Sequence, residues 1–266
     1  MKSSPLTAEE AAAVRFYEGD LTGLPADDPF YADSKGYVSL NALLFPGISS
    51  EVTRVREGKH LNPAIPADLP RLTAIFRALL SAARKGAQPR PTEGFRVERA
   101  ADFAMLQKAG RTLSFTSTAT GGFLPAYGDK QSIVLLHCTV PAGTPCILMA
   151  ELLDEYRKAD EQELLLPPGL TFSADPRPLT DAERRITDQN GNPPAAAYEV
   201  RFTGQYAPLT QIVREPLPFP AEACAVWTAL NAGTAPEALP PAAVRLLVDR
   251  KACLAQWLLS AAIIGE

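Results

Sequence analysis

Glu161-Gln162-Glu163-Leu164-Leu165-Leu166-Pro167-Pro168-Gly169 sets two carboxylates two residues apart on the edge of an apolar run that stops at a turn. Side chains at i and i+2 of a strand leave the same face. An extended Glu161–Leu166 would therefore aim Glu161 and Glu163 at one ligand and turn Gln162 away from it. Acids at that spacing also decorate ordinary solvated strand edges, so the meaning of the pair depends on what precedes it.

Upstream, short apolar runs alternate with turn signals. Gly94 to Arg99 and Thr112 to Thr118 read as strands, and Ser132 to Val140 as a third whose apolar residues fall on both faces, as in a buried strand. Pro141, Ala142 and Gly143 turn the chain into a strand over Pro145 to Ala150, and Glu151 to Asp160 is a polar, loosely helical loop before the acids. Leu170 to Ser173 and Tyr198 to Thr203 add two more strands, joined through an Asn190-Gly191-Asn192-Pro193 turn. Helical periodicity lies on either side. Thr7 caps a helix to Tyr17 with Glu9 and Glu10 in its first turn, Tyr37 to Leu44 is stopped by Pro46 and Gly47, and a polar connection runs from there to Pro66. Leu72 to Ala83 repeats apolar residues at three-and-four spacing. Ala221 to Leu230 is a further helix, and Pro240 and Pro241 open a last one with the stripe Val244, Leu246, Leu247, Cys253, Leu254, Trp257, Leu258 and Ile263. The order predicts an α+β fold: a compact pair of packed, mostly antiparallel sheets between N-terminal helices and a C-terminal helical appendage. Its parts are 1–90, a β-rich core over 91–209, and 210–266.

Composition narrows the class. The chain has 266 residues, 46% of them hydrophobic, enough to bury a sizeable core, and its 25 prolines are scattered among turns and not gathered in one tract. A net charge of −4 without a Lys/Arg block argues against nucleic acid and anionic lipid as partners. Neither a secretory signal nor a membrane-spanning run is readable. Cys138, Cys146, Cys224 and Cys253 form no C-x-x-C pair, and His60 and His137 are far apart, so no metal-site spacing is present. The cysteines read as small buried thiols, with a Cys138–Cys146 disulfide as the alternative.

Arg96 within Gly94–Arg99, Ser117 within Phe115-Thr116-Ser117-Thr118, and Glu161-x-Glu163 occur in the order of the Arg, Ser-Thr-Ser and Glu-x-Glu signature that this chain resembles, that of the mono-ADP-ribosyltransferases of the toxin and ecto-enzyme type. Ile133 to Val140 with Pro141, Gly143 and Thr144 is similar to that family's strand and V-P-x-G-T turn, and Tyr37 to Leu44, with Asn41, to its N-terminal helical element. The likeness spans roughly residues 7 to 205. One position departs: Ala119 stands where the family has its second serine.

The resemblance implies an ADP-ribosyltransferase-like core that uses NAD as co-substrate without a metal. ADP-ribose would pass to a protein side chain and nicotinamide would be released. Breaking the glycosidic bond builds oxocarbenium character on the ribose, and a carboxylate beside it stabilises that charge. The family pattern gives this role to Glu163, hydrogen-bonded to the ribose 2′-hydroxyl. Arg96, whose planar fork suits phosphate oxygens, would bind the dinucleotide with Val97 beside it; the structural alternative is an Arg96–Glu98 pair. Ser117 would orient Glu163 and Thr118 support that strand, though such a pair also serves as plain β-formers. Phe123, after Gly121 and Gly122, would pack on nicotinamide or fill the core. Glu161 implies arginine as favoured acceptor; Tyr156 would read the substrate or cap the core. Transfer to a serine or threonine hydroxyl, for example on ubiquitin, hydrolysis of NAD, and a partner-binding module without turnover stay open. The implied setting is a bacterial effector or toxin acting in a host cytosol on a host protein, with ubiquitin, actin and small GTPases as candidates, or otherwise a cytoplasmic enzyme.

Overall fold

The computed structural model describes residues 5–21, 23–25, 27–32, 35–120, 130–149 and 162–265. In chain order its elements are α1 (Ala8–Glu18), α2 (Gly36–Leu44), α3 (Ser49–Arg56), α4 (Ala64–Ala67), α5 (Leu69–Lys85), β1 (Thr92–Arg99), α6 (Ala100–Ala109), β2 (Thr116–Ala119), β3 (Ile133–Val140), β4 (Ile147–Leu148), β5 (Glu163–Leu166), β6 (Leu170–Arg177), β7 (Ala196–Tyr206), α7 (Ala221–Asn231) and α8 (Pro241–Ile264). The fold is α+β. Two compact units emerge, one built on Ala82–Pro208 and one on Thr7–Ser81 with Leu209–Glu266. Thr7–Ser81 and Leu209–Glu266, on either side of the strands in sequence, thus fall in one unit.

In the β-rich unit the described strands form one mixed ladder in the order β4-β5-β2-β1-β3-β7-β6, in which β3 and β7 run parallel and the other described pairs antiparallel. Where a pair of packed sheets is expected, a single sheet is found, but its halves barely join. β1 pairs β3 over eight residues and β2 only at Phe95 opposite Ala119. β5 starts at Glu163, two residues later than the sequence suggests, because Gln162 sits at φ 42. A left-handed residue breaks the pleat, so the same-face argument for Glu161 and Glu163 does not carry through it. The strand ends as expected at Pro167-Pro168-Gly169. Gly169 adopts φ 94, which a side chain would strain, and Thr112 ties the turn down through its hydroxyl to the Pro167 carbonyl at 2.9 Å and its carbonyl to the Gly169 N–H at 2.8 Å.

One face of β1, β3 and β7 buries Val97, Ile133, Leu135 and Ala197 under Leu179 and Ile186. Glu183 anchors that covering segment. Its carboxylate accepts from the Thr180 N–H at 2.9 Å and from Arg177 Nη1 at 2.8 Å, and Arg177 also pairs with Glu199 at 2.9 Å. The bond from Arg177, helped by Thr180 and opposed by burial, pulls the Glu183 carboxyl down from 4.5 to about 2. A depressed carboxyl stabilises the fold fully above its ordinary value, and that stability is lost as pH falls toward the folded value. Between pH 4.5 and 2, thermal unfolding followed by circular dichroism is therefore expected to show a shallower loss of stability in Glu183→Gln than in the natural chain. Parallel curves would refute this anchor. Cys138 and Cys146 are buried thiols that no disulfide joins, so the alternative pairing is not formed. Burial pushes the Cys138 thiol up to about 12 despite nearby Arg96 and Thr118, leaving it inert.

The helical unit follows its periodicity. Thr7 and Glu10 close a capping box on α1, and Leu72, Ile75, Phe76, Leu79 and Leu80 of α5 are all buried. Trp227 of α7 and Trp257 of α8 fill the core, the Trp227 indole donating to the Asn62 carbonyl at 3.0 Å. The α8 stripe is narrower than expected: Leu247, Leu254, Trp257 and Leu258 are buried, while Ile263 is exposed. The connection to Pro66, expected to be irregular, holds α3 and α4. Helix α3 escapes the apolar pattern because its buried residues are Ser50, Glu51 and Arg54. Among the described residues no helix is long and apolar enough to cross a membrane.

Candidate active site

Past Phe95 opposite Ala119, continuing the register would set Val97 against Ser117, yet no ladder bond forms there. A buried carbonyl needs a donor, and side chains supply it. Arg96 Nη1 donates to the Ser117 carbonyl at 2.7 Å, and Lys130 Nζ to the Val97 carbonyl at 2.6 Å. Two cations thus stand where strand pairing would be. They explain why the sheet nearly parts at this point.

Glu98 balances them. Its Oε2 accepts from Arg96 Nε at 2.9 Å and also pairs with Arg96 Nη2, while Oε1 accepts the Arg99 N–H at 3.0 Å. Glu98 is 2% exposed. Burial alone would push its carboxyl up, but Arg96, Lys130 and Arg99 outweigh it and hold the group well below the usual carboxylate range. The alternative in which Arg96 pairs with Glu98 is therefore what the structure holds, with the Arg96 side chain still 17% exposed.

Register decides how the other expected residues are presented. Glu163, Ala119, Phe95, His137 and Glu199 form one transverse row across β5, β2, β1, β3 and β7. Residues opposite one another share a face, so Ser117 and Glu163 lie on one face as diagonal neighbours, with Ala119 directly across from Glu163. Ala119, where the resembled pattern has a serine, thus faces Glu163 directly from β2 and offers it no hydroxyl. Glu163 itself is 3% exposed. Within the row, Phe95 stacks on His137 with centroids 4.8 Å apart, and His137 Nδ1 bonds Glu199 at 2.9 Å.

Arg96 and Thr118 leave the opposite face. Thr118 is buried against Gly94, where an added Cβ would lie 2.4 Å from its Cγ2, so glycine is required at 94. Val97 is buried in the core under Leu179 and Ile186. Both side chains, proposed from the resemblance to stand at the cofactor, are buried in the protein. Glu161, Phe123 and Tyr156 lie outside the described residues. The described residues next to those segments in sequence, Thr120 and Gln162, are joined by the Thr120 hydroxyl donating to the Gln162 carbonyl at 2.6 Å. Sequence reasoning missed Lys130, which arrives from far along the chain with no spacing to mark it. It read Glu98 only as the alternative partner of Arg96, not as a member of the site. Among the described residues, no group of three or more His, Cys, Asp or Glu side chains could hold a metal ion.

Neither a protein-family model nor a curated protein matches the chain. Among solved structures, it is similar to Plx2a, an ADP-ribosyltransferase toxin from Paenibacillus larvae, at 12% identity and TM-score 0.44, covering 74% of this chain and 87% of that one. It is also similar to the enzymatic component C2-I of the C2-toxin from Clostridium botulinum at 15% identity and TM-score 0.44, over 76% of this chain but only 44% of that component's length. C3larvin toxin, an ADP-ribosyltransferase from Paenibacillus larvae, matches at 16% identity and TM-score 0.42, over 74% and 96%. Likeness this distant leaves function to the site's own residues.

Proposed function

We propose that this protein is a mono-ADP-ribosyltransferase that moves ADP-ribose from NAD to a protein side chain. One observation carries the reading. Arg96, Ser117 and Glu163, far apart in sequence, stand on the adjacent strands β1, β2 and β5 around the point where the sheet parts. Ser117 and Glu163 share one face, while the Arg96 side chain leaves the other and brings its guanidinium into the β1–β2 gap at the Ser117 carbonyl. A cation in that gap suits a dinucleotide's phosphates, and a carboxylate on β5, beyond β2, suits the ribose. In the reaction the bond between ribose C1′ and the nicotinamide nitrogen breaks and its electron pair leaves with nicotinamide. Glu163 holds the 2′-hydroxyl and offsets the charge growing on C1′. The acceptor attacks C1′ and gives up a proton.

Arginine is the acceptor we favour, on the strength of Glu161 alone: a carboxylate beside a guanidinium orients it and accepts its proton as the bond forms. A host protein would supply it, the chain acting as a bacterial effector. Incubation with labelled NAD and a eukaryotic lysate is expected to label protein, and mass spectrometry to find ADP-ribose on arginine. Nicotinamide release with no labelled protein would replace the transferase reading by NAD hydrolysis. Absence of both NAD binding and release would leave a binding module.

A further inference from the structure

Arg96 does two jobs at the split. Its Nη1 closes the Ser117 carbonyl, and its Nε and Nη2 grip one oxygen of Glu98 side-on. That grip stops rotation about the terminal bonds of the longest, most mobile part of the side chain. Glu98 in turn is fixed at its other oxygen by the Arg99 N–H, buried at 2% exposure, and faced by Lys130 and Arg99 as well as Arg96. Arg99 is paired with Asp102 at 3.5 Å, which ties the cluster to the first turn of α6. A buried carboxylate with both oxygens bonded is a rigid anchor; three cations without it would repel one another and spread.

We propose that Glu98 is a positioning residue: it fixes the Arg96 guanidinium across the β1–β2 split in the orientation from which Arg96 takes a dinucleotide phosphate. The inference rests on the transferase reading and deepens it. Charge and orientation make opposite predictions for Glu98→Gln, which keeps the shape and removes the negative charge. If Arg96 served only as positive charge, the cluster would gain one net positive unit and NAD, an anion, would bind more tightly. If Glu98 sets orientation, a charge-assisted grip becomes an ordinary one and the affinity falls, by about tenfold in KM with a smaller change in kcat.

The test measures nicotinamide release against NAD concentration for the natural chain, Glu98→Gln and Glu98→Asp, with circular dichroism to verify folding. In parallel, nitrogen-15 NMR reads the Arg96 Nε–H resonance without NAD, assigned by its loss in Arg96→Lys. We expect KM to rise in both variants, more in Glu98→Gln, and the Arg96 Nε–H to exchange quickly with water once Glu98 is replaced. An unchanged or lower KM in Glu98→Gln would overturn the proposal, as would an Nε–H signal that keeps its position and protection. Should Glu98→Gln not fold, Glu98→Asp decides both readouts: it keeps the charge and shortens the reach. A natural chain that neither binds nor cleaves NAD would bring down the transferase reading, and with it the phosphate role. The Nε–H signal would then still decide whether Glu98 holds the guanidinium.

Discussion

Replacing Glu163 by glutamine is expected to lower nicotinamide release from NAD by roughly a thousandfold, with NAD affinity and thermal stability little changed. A unit charge pair at about 4 Å and an effective dielectric near 20 is worth about 4 kcal/mol, and that energy is available only as positive charge develops on the ribose. Glutamine fills the same volume opposite Ala119 and still offers an oxygen to the 2′-hydroxyl, so ground-state binding should survive. Kinetics in the natural chain and in Glu163→Gln, with binding measured by calorimetry, separate the two quantities. Turnover within about tenfold of the natural chain would end the assignment of Glu163 to glycosidic cleavage.

Lys251→Ala is expected to destabilise the helical unit by about 3–5 kcal/mol in urea unfolding. Lys251 is 1% exposed and pairs with Glu51, which is fully buried; it also donates to the Gly47 carbonyl at 2.6 Å. Removing the lysine strands a buried carboxylate whose Oε2 already has no hydrogen-bond partner among the described residues. Replacing both partners at once, as Glu51→Leu with Lys251→Met, is expected to recover most of the loss, because neither charge is then left buried alone. Equal destabilisation of the single and double variants would mean that the α3–α8 contact depends on shape and not on the ion pair.

These two sites differ in how much of them could be read beforehand. Leu247, Lys251, Leu254 and Leu258 recur at spacings of four, three and four, so the position of Lys251 on the buried face of α8 was legible. Its partner was not, since α3 buries Ser50, Glu51 and Arg54 and shows no apolar rhythm. The strand around Arg96 was legible from alternation, and Ser117 and Glu163 from the family pattern. Helix α6 went unread between two strands, and Lys130 carried no signal. Gln162 escaped too: its left-handed backbone moves the start of β5 to Glu163, and nothing in a Glu-Gln-Glu run announces a positive φ.

The sequence by itself determined the α+β class, most of the strands and helices, the turn at Pro167-Pro168-Gly169 and the order of Arg96, Ser117 and Glu163. Those are local properties, set by the period of apolar residues and by what proline and glycine allow. Tertiary structure alone decided that β1 and β2 meet at one residue pair, that Arg96 and Lys130 close the carbonyls left open there, and that Glu98 holds Arg96 from within the sheet. Register and burial settle such matters. Buried carbonyls and charges must find partners wherever the chain brings them, and that demand has no period along the sequence.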